Sequence, residues 1–153
     1  MPFIHLDSLP RRVGKSELLA FLEQVGGLDR RRLGAISLHG NEATLLGLAR
    51  GSKDLRTLLA TIHAFYCREI ALWAETEVDG VAIGDEWGTP EGLRIAPEMW
   101  CNLFRPLYRD YCQVLREKDK FVFFHSGGNI ADIFGDLVKI GVDAIHAQWS
   151  SMN

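Results

Sequence analysis

The most informative segment of this chain is residues 121–129, which read Phe121-Val122-Phe123-Phe124-His125-Ser126-Gly127-Gly128-Asn129. A continuous apolar run ends here in a histidine, a hydroxyl, two glycines and an amide. Such a run is typical of a buried parallel strand that carries a reactive side chain to the rim of an α/β sheet. The two glycines allow the backbone to turn tightly, and we expect a helix to begin at Ile130.

Two further segments resemble this one. The apolar run Val78–Gly84 ends in Asp85, Glu86 and Trp87, and the run Val142–His146 is followed closely by Gln148. The carboxyl ends of parallel strands meet at one edge of a sheet, where ligands bind in α/β proteins. We therefore expect one shared site at this edge.

The remaining segments alternate between helix and strand. From residue 54 the order is helix, strand, helix, strand, helix, strand, which is typical of βαβ units on a parallel sheet. Pro97 fits the first turn of a helix, and Pro106 predicts a kink near 102–105. Weaker patterns predict a helix at Ser16–Val25, a strand at Ala35–Leu38 and a helix at Glu42–Ala49. We expect one domain over residues 1–153.

Composition excludes several classes of protein. The chain has 153 residues, 47% hydrophobic and 24% charged, which is enough to bury a core. Its net charge of −3 argues against nucleic-acid binding. Three cysteines without a CxxC pair favour a reducing compartment, and no segment has the ~20 apolar residues of a membrane span. We predict a cytoplasmic protein with no membrane partner.

Five blocks of sequence together carry a resemblance to a known family. They are Val78–Thr89, Ile95–Trp100, Phe104–Pro106, Phe123–Ile130 and Ile140–Asp143. In order and spacing they resemble the uroporphyrinogen decarboxylase family, which includes the decarboxylase of haem biosynthesis and the methylcobamide:thiol methyltransferases. The resemblance covers about residues 38–148. It implies a TIM (β/α)₈ barrel with its active site at the carboxyl ends of the strands.

A closed barrel of this kind takes about 250 residues, whereas about four strands are found here. We therefore expect an α/β fold that is a partial TIM barrel of the uroporphyrinogen decarboxylase type. About four βα units would be present, and strands would be lacking at both ends. An incomplete barrel of this kind would favour association with another copy or subunit, since exposed sheet edges invite pairing.

The strand ends supply two candidate catalytic residues, Asp85 and His125. An imidazole at the rim can donate a proton, bind a metal or face an anion near neutral pH. A carboxylate can act as general acid or base. Adjacent residues on an extended chain point in opposite directions, so only one of Asp85 and Glu86 should face the site, and Asp85 is favoured. The alternative is that one of these acids caps the following loop or pairs with Arg94.

Six further residues are candidates for substrate binding: Glu86, Trp87, Ser126, Asn129, His146 and Gln148. Ser126 and Asn129 could donate hydrogen bonds to an anionic ligand at the start of the next helix. Asn129 could equally cap that helix. Trp87 could cover a ligand, although packing is the commoner role of a tryptophan in such a loop.

The resemblance implies cofactor-free removal of acetate carboxyl groups from a tetrapyrrole. The alternative is a relative that transfers a methyl group from a corrinoid to a thiol, normally with zinc. The sequence of residues 84–89 resembles this methyltransferase branch more than the decarboxylases. In those relatives a His-x-Cys pair binds the metal, and here Gly127 replaces the cysteine, so we predict no metal. A second alternative is a truncated barrel piece without catalysis. The expected partner is a small molecule, either a tetrapyrrole or a methyl carrier.

Overall fold

The computed structural model describes residues 3–4 and 41–147. The predicted helix Ser16–Val25, the predicted strand Ala35–Leu38 and Gln148 lie outside these residues. The elements are β1 (Phe3–Ile4), α1 (Asn41–Ala49), α2 (Lys53–Ala74), β2 (Gly80–Gly84), β3 (Gly88–Thr89), β4 (Gly92–Leu93), α3 (Pro97–Leu103), α4 (Arg105–Arg116), β5 (Phe121–Ser126), α5 (Ala131–Ile140) and β6 (Ala144–Ala147).

The described strands form a four-stranded sheet in the order β1-β2-β5-β6. Strands β2, β5 and β6 run parallel, and β1 pairs antiparallel with β2. The prediction of an α/β fold with a parallel sheet is therefore confirmed. The sequence did not predict β1, and its antiparallel pairing departs from the all-parallel arrangement of a TIM barrel.

The helices begin and end where their residues require it. Ser52 caps α2 by accepting a hydrogen bond from the Leu55 N–H at 3.4 Å. Pro97 lies in the first turn of α3, as predicted. The helical segment is interrupted at Phe104, between α3 and α4, which confirms the kink expected from Pro106. Gly141 ends α5 in the left-handed conformation, with φ of 108°.

The two faces of the parallel sheet differ. On one face, Val81, Ile83, Val122 and Phe124 are almost fully buried. The ring of Tyr108, on α4, packs edge-on against Phe124 at 5.4 Å. Each such buried side chain contributes about 2 kcal/mol. The other face carries Phe121 and Phe123, which are 57% and 46% exposed. The described helices therefore cover one face of the sheet.

The segment after β2 contains a short hairpin that sequence reasoning described only as a loop. Strands β3 and β4 pair antiparallel, with Gly88 opposite Leu93 and Thr89 opposite Gly92. Thr89 also bridges to Asn129, in the loop after β5. The hairpin is thereby joined to the carboxyl end of β5.

Candidate functional site at the carboxyl ends of the parallel strands

Two imidazoles meet at the rim of the sheet. His125 on β5 and His146 on β6 are register partners, so their side chains lie on the same face. Their rings stack with centroids 5.0 Å apart and 28° between planes. Their Nδ1 atoms are 2.9 Å apart, which is a hydrogen-bonding distance. The structure therefore brings together the two histidines that the sequence placed at this edge.

Glu86 is the carboxylate beside this pair. Its Oε1 lies 3.9 Å from His125 Nε2, so the acid faces the ring nitrogen that His146 does not use. A Cβ atom at position 127 would overlap Glu86 Oε2. Gly127 therefore leaves room for the Glu86 side chain.

Asp85 lies elsewhere, and the expectation that Asp85 and His125 face one pocket is wrong. Gly84 is the register partner of His125, so the next residue, Asp85, falls level with Ser126 and faces the helices. Asp85 is only 5% exposed, and its Oδ2 accepts a hydrogen bond from the Tyr108 hydroxyl. Of the two adjacent acids, Glu86 faces the imidazoles and Asp85 faces the helical layer.

Trp87 belongs to the same buried network. Its indole N–H donates to the Tyr108 hydroxyl at 2.8 Å, and its ring packs against Phe104 at 4.5 Å. Burial raises the pKa of Tyr108 well above its usual value, so this hydroxyl stays protonated and can donate to Asp85. Trp87 is 6% exposed and packs in the interior, which is the commoner role of a tryptophan in such a loop. Sequence reasoning missed Tyr108, because nothing in an apolar helical pattern marks one tyrosine as a polar partner.

Ser126 and Asn129 shape the rim through hydrogen bonds to the backbone. Ser126 is fully buried, and its hydroxyl accepts from the Trp87 N–H at 3.0 Å. It also donates to the Gly127 carbonyl at 3.2 Å. Asn129 Oδ1 accepts from the Ala131 N–H at 3.0 Å, at the start of α5. Asn129 thus binds the first turn of α5 from the position before the N-cap, Ile130, which has no side-chain cap hydrogen bond of its own.

Within residues 3–4 and 41–147, no group of three or more His, Cys, Asp and Glu side chains is arranged to hold a metal ion. Across the same part of the chain, every helix is too short or too polar to cross a membrane.

Comparisons with family models, curated proteins and solved structures found no match for this chain. Function is therefore inferred from the residues of the rim.

The position of Asp85 leads to a prediction about stability. We expect Asp85→Ala to lower the free energy of unfolding by about 3 kcal/mol, because the buried Tyr108 hydroxyl loses its hydrogen-bond acceptor. Asp85→Asn should cost less, since its amide oxygen can still accept from Tyr108. Urea denaturation measures both, with the exposed Asp79→Ala as a control expected to stay within about 0.5 kcal/mol. Equal stability of Asp85→Ala and the parent would contradict a structural role.

Proposed function

We propose that this protein resembles uroporphyrinogen decarboxylase in function and removes acetate carboxyl groups from a tetrapyrrole without a cofactor. The observation that carries the proposal is the placement of His125, His146 and Glu86. These side chains meet at the carboxyl ends of neighbouring parallel strands, where barrel enzymes hold their active sites.

We further propose that β2, β5 and β6 are consecutive strands of a (β/α)₈ barrel, with β1 outside this correspondence. The three parallel strands lie side by side in the order in which they occur along the chain, and the connection between each pair contains at least one helix. The described helices cover one face only, as in a barrel whose helices form the outer ring. The exposed rings of Phe121 and Phe123 have the size and polarity of side chains that fill a barrel interior.

The proposed reaction needs a proton donor and a group that tolerates positive charge. A proton adds to the pyrrole carbon beside the one that bears the acetate. The resulting cation accepts the electron pair of the breaking carbon–carbon bond, and CO₂ leaves. A second proton adds to the exposed carbon, and the first is lost from the ring. The acetate thus becomes a methyl group, and one proton is consumed overall.

His125 and Glu86 match these two needs. The imidazole of His125 is half-buried at the rim and can serve as a general acid near neutral pH. The carboxylate of Glu86 lies beside His125 Nε2, where it would stabilise a cationic ring held at the same place. Glu86 thus takes the role that sequence reasoning favoured for Asp85.

A corrinoid-dependent methyltransferase is the second candidate, on the likeness of residues 84–89 to that branch. Its zinc site would require a ligand at position 127, where the chain has a glycine and the Glu86 carboxylate fills the space. This observation favours the decarboxylase. A non-catalytic fragment of a barrel is the third candidate. It would turn over neither a tetrapyrrole nor a methylated corrinoid.

Incubation of the full chain with a reduced tetrapyrrole that carries acetate side chains tests the proposal. We expect acetate side chains to be replaced by methyl groups one at a time, as detected by chromatography and mass spectrometry. A chelator should not change the rate of this reaction. Retention of every carboxyl group would contradict the decarboxylase. Stoichiometric zinc in the purified protein, together with methyl transfer from a methylated corrinoid to a thiol, would instead support the second candidate.

A further inference from the structure

We propose that His125 and His146 form a proton relay that connects the Glu86 side of the rim with solvent. The inference rests on the proposed function only for the direction of proton flow, because decarboxylation consumes one proton in each turnover. The geometry that carries it is the 2.9 Å contact between the two Nδ1 atoms. Two neutral imidazoles in such contact must share one proton between them.

The Glu86 carboxylate favours one of the two positions for that shared proton. If His125 carried it on Nδ1, its Nε2 would turn a lone pair towards the Glu86 carboxylate, 3.9 Å away. Two electron-rich atoms would then face each other. If His146 carries it instead, His125 keeps its own proton on Nε2, facing the carboxylate favourably. The resting arrangement is therefore His125 with Nε2–H and His146 with Nδ1–H.

This arrangement can pass a proton in one direction without building up charge. His125 Nε2 releases its proton to the reacting carbon, while the shared proton moves from His146 Nδ1 to His125 Nδ1. His146 Nε2 takes a proton from an acid in the solvent, such as hydronium or a buffer acid, in the same event. Both rings are neutral before and after, and only their tautomers change. After the product leaves, His125 Nε2 takes a proton from solvent, the shared proton moves back to His146 Nδ1, and His146 Nε2 returns one proton to solvent. The relay thus delivers one net proton per turnover.

The exposure of the two rings suits this route. His146 is exposed and can exchange protons with water, whereas His125 is half-buried beside Glu86. His146 would act on the reaction only through His125, so it is a positioning and relay residue.

Nuclear magnetic resonance of the full chain with ¹⁵N-labelled histidine tests the proton arrangement without any substrate. At a pH where both rings are neutral, we expect His146 to carry its proton on Nδ1 and His125 on Nε2. A scalar coupling across the hydrogen bond should join the two Nδ1 atoms and vanish in His125→Ala. The opposite tautomers, or the lack of a coupling, would overturn the inference.

A second variant separates relay from mere positioning. In His146→Asn the amide N–H can still donate to His125 Nδ1, but the side chain has no second nitrogen to take a proton from water. We expect the His125 tautomer to stay unchanged, while turnover of the acetate-bearing tetrapyrrole falls at least ~10-fold. Added imidazole should restore part of the loss. Full turnover in this variant, or a loss that imidazole does not restore, would overturn the relay.

The two measurements also separate this inference from the proposed function. The expected tautomers and coupling in a protein without decarboxylase activity would retain the relay and remove the proposed reaction. Decarboxylation by a protein whose histidines show the opposite tautomers would retain the proposed reaction and remove the relay.

Discussion

Gly88→Ala is expected to lower the free energy of unfolding by about 3 kcal/mol, because the added methyl group would meet backbone atoms. A Cβ at position 88 would lie 2.6 Å from Asn129 N and from Gly128 C, and nearer still to Gly127 O. Backbone atoms cannot rotate away as a flexible side chain can. The hairpin and the loop after β5 would have to separate, although their hydrogen bonds hold them at 3.1 Å (Gly88 N to Gly127 O).

Gly135→Ala is the matched control for this variant. Gly135 lies within α5, and a Cβ there would have no neighbour within 4 Å. Alanine should therefore stabilise the protein by about 0.5 kcal/mol or slightly more, since glycine weakens a helix interior. Denaturant unfolding of both variants measures the difference. A Gly88→Ala protein as stable as its parent would mean that the hairpin does not pack against this loop.

Under the proposed function, loss of the His125 imidazole or the Glu86 carboxylate should have the largest effect on turnover. We expect His125→Ala to lower the rate of tetrapyrrole decarboxylation by ~10²–10⁴-fold, the range by which a positioned proton donor accelerates a reaction. Glu86→Gln removes the negative charge that would face the cationic intermediate, and we expect a loss of ~10²-fold. Both side chains are at least partly exposed, so the variants should remain folded.

Glu91→Gln provides the comparison for the second variant. Glu91 is exposed in the turn between β3 and β4, so the same chemical change there should leave turnover unaltered. Steady-state kinetics of the three variants, with an unfolding curve for each, separates chemistry from stability. Turnover within a fewfold of the parent in both His125→Ala and Glu86→Gln would remove these residues from the proposed mechanism.

Local sequence was sufficient for most elements between residues 41 and 147. The apolar runs before Asp85 and His125 correspond to β2 and β5, and the breakers Pro97, Pro106 and Gly141 lie at helix boundaries. Such features depend on neighbours within a few residues, which is why pattern reasoning found them. The β3–β4 hairpin was missed, because each strand has only two residues and no alternating pattern.

The site was harder to predict than the fold. The sequence indicated that polar side chains would gather at one edge of the sheet, and it showed that Asp85 and Glu86 should point in opposite directions. It could not decide which of them meets His125. That choice depends on strand register, which pairs Gly84 with His125 across 41 positions of sequence.

Sequence patterns alone were enough to predict the parallel strands β2, β5 and β6, the helices between residues 41 and 140, and the edge at which the polar strand ends meet, because apolar periodicity and chain breakers act locally. The partners of the polar side chains became clear only from the folded arrangement. There Glu86 and His146 flank His125, while Asp85, Trp87 and Ser126 belong to the interior. The physical reason is that a side chain's partners depend on register and packing between distant segments. A shift of one residue along a strand moves every side chain to the other face of the sheet.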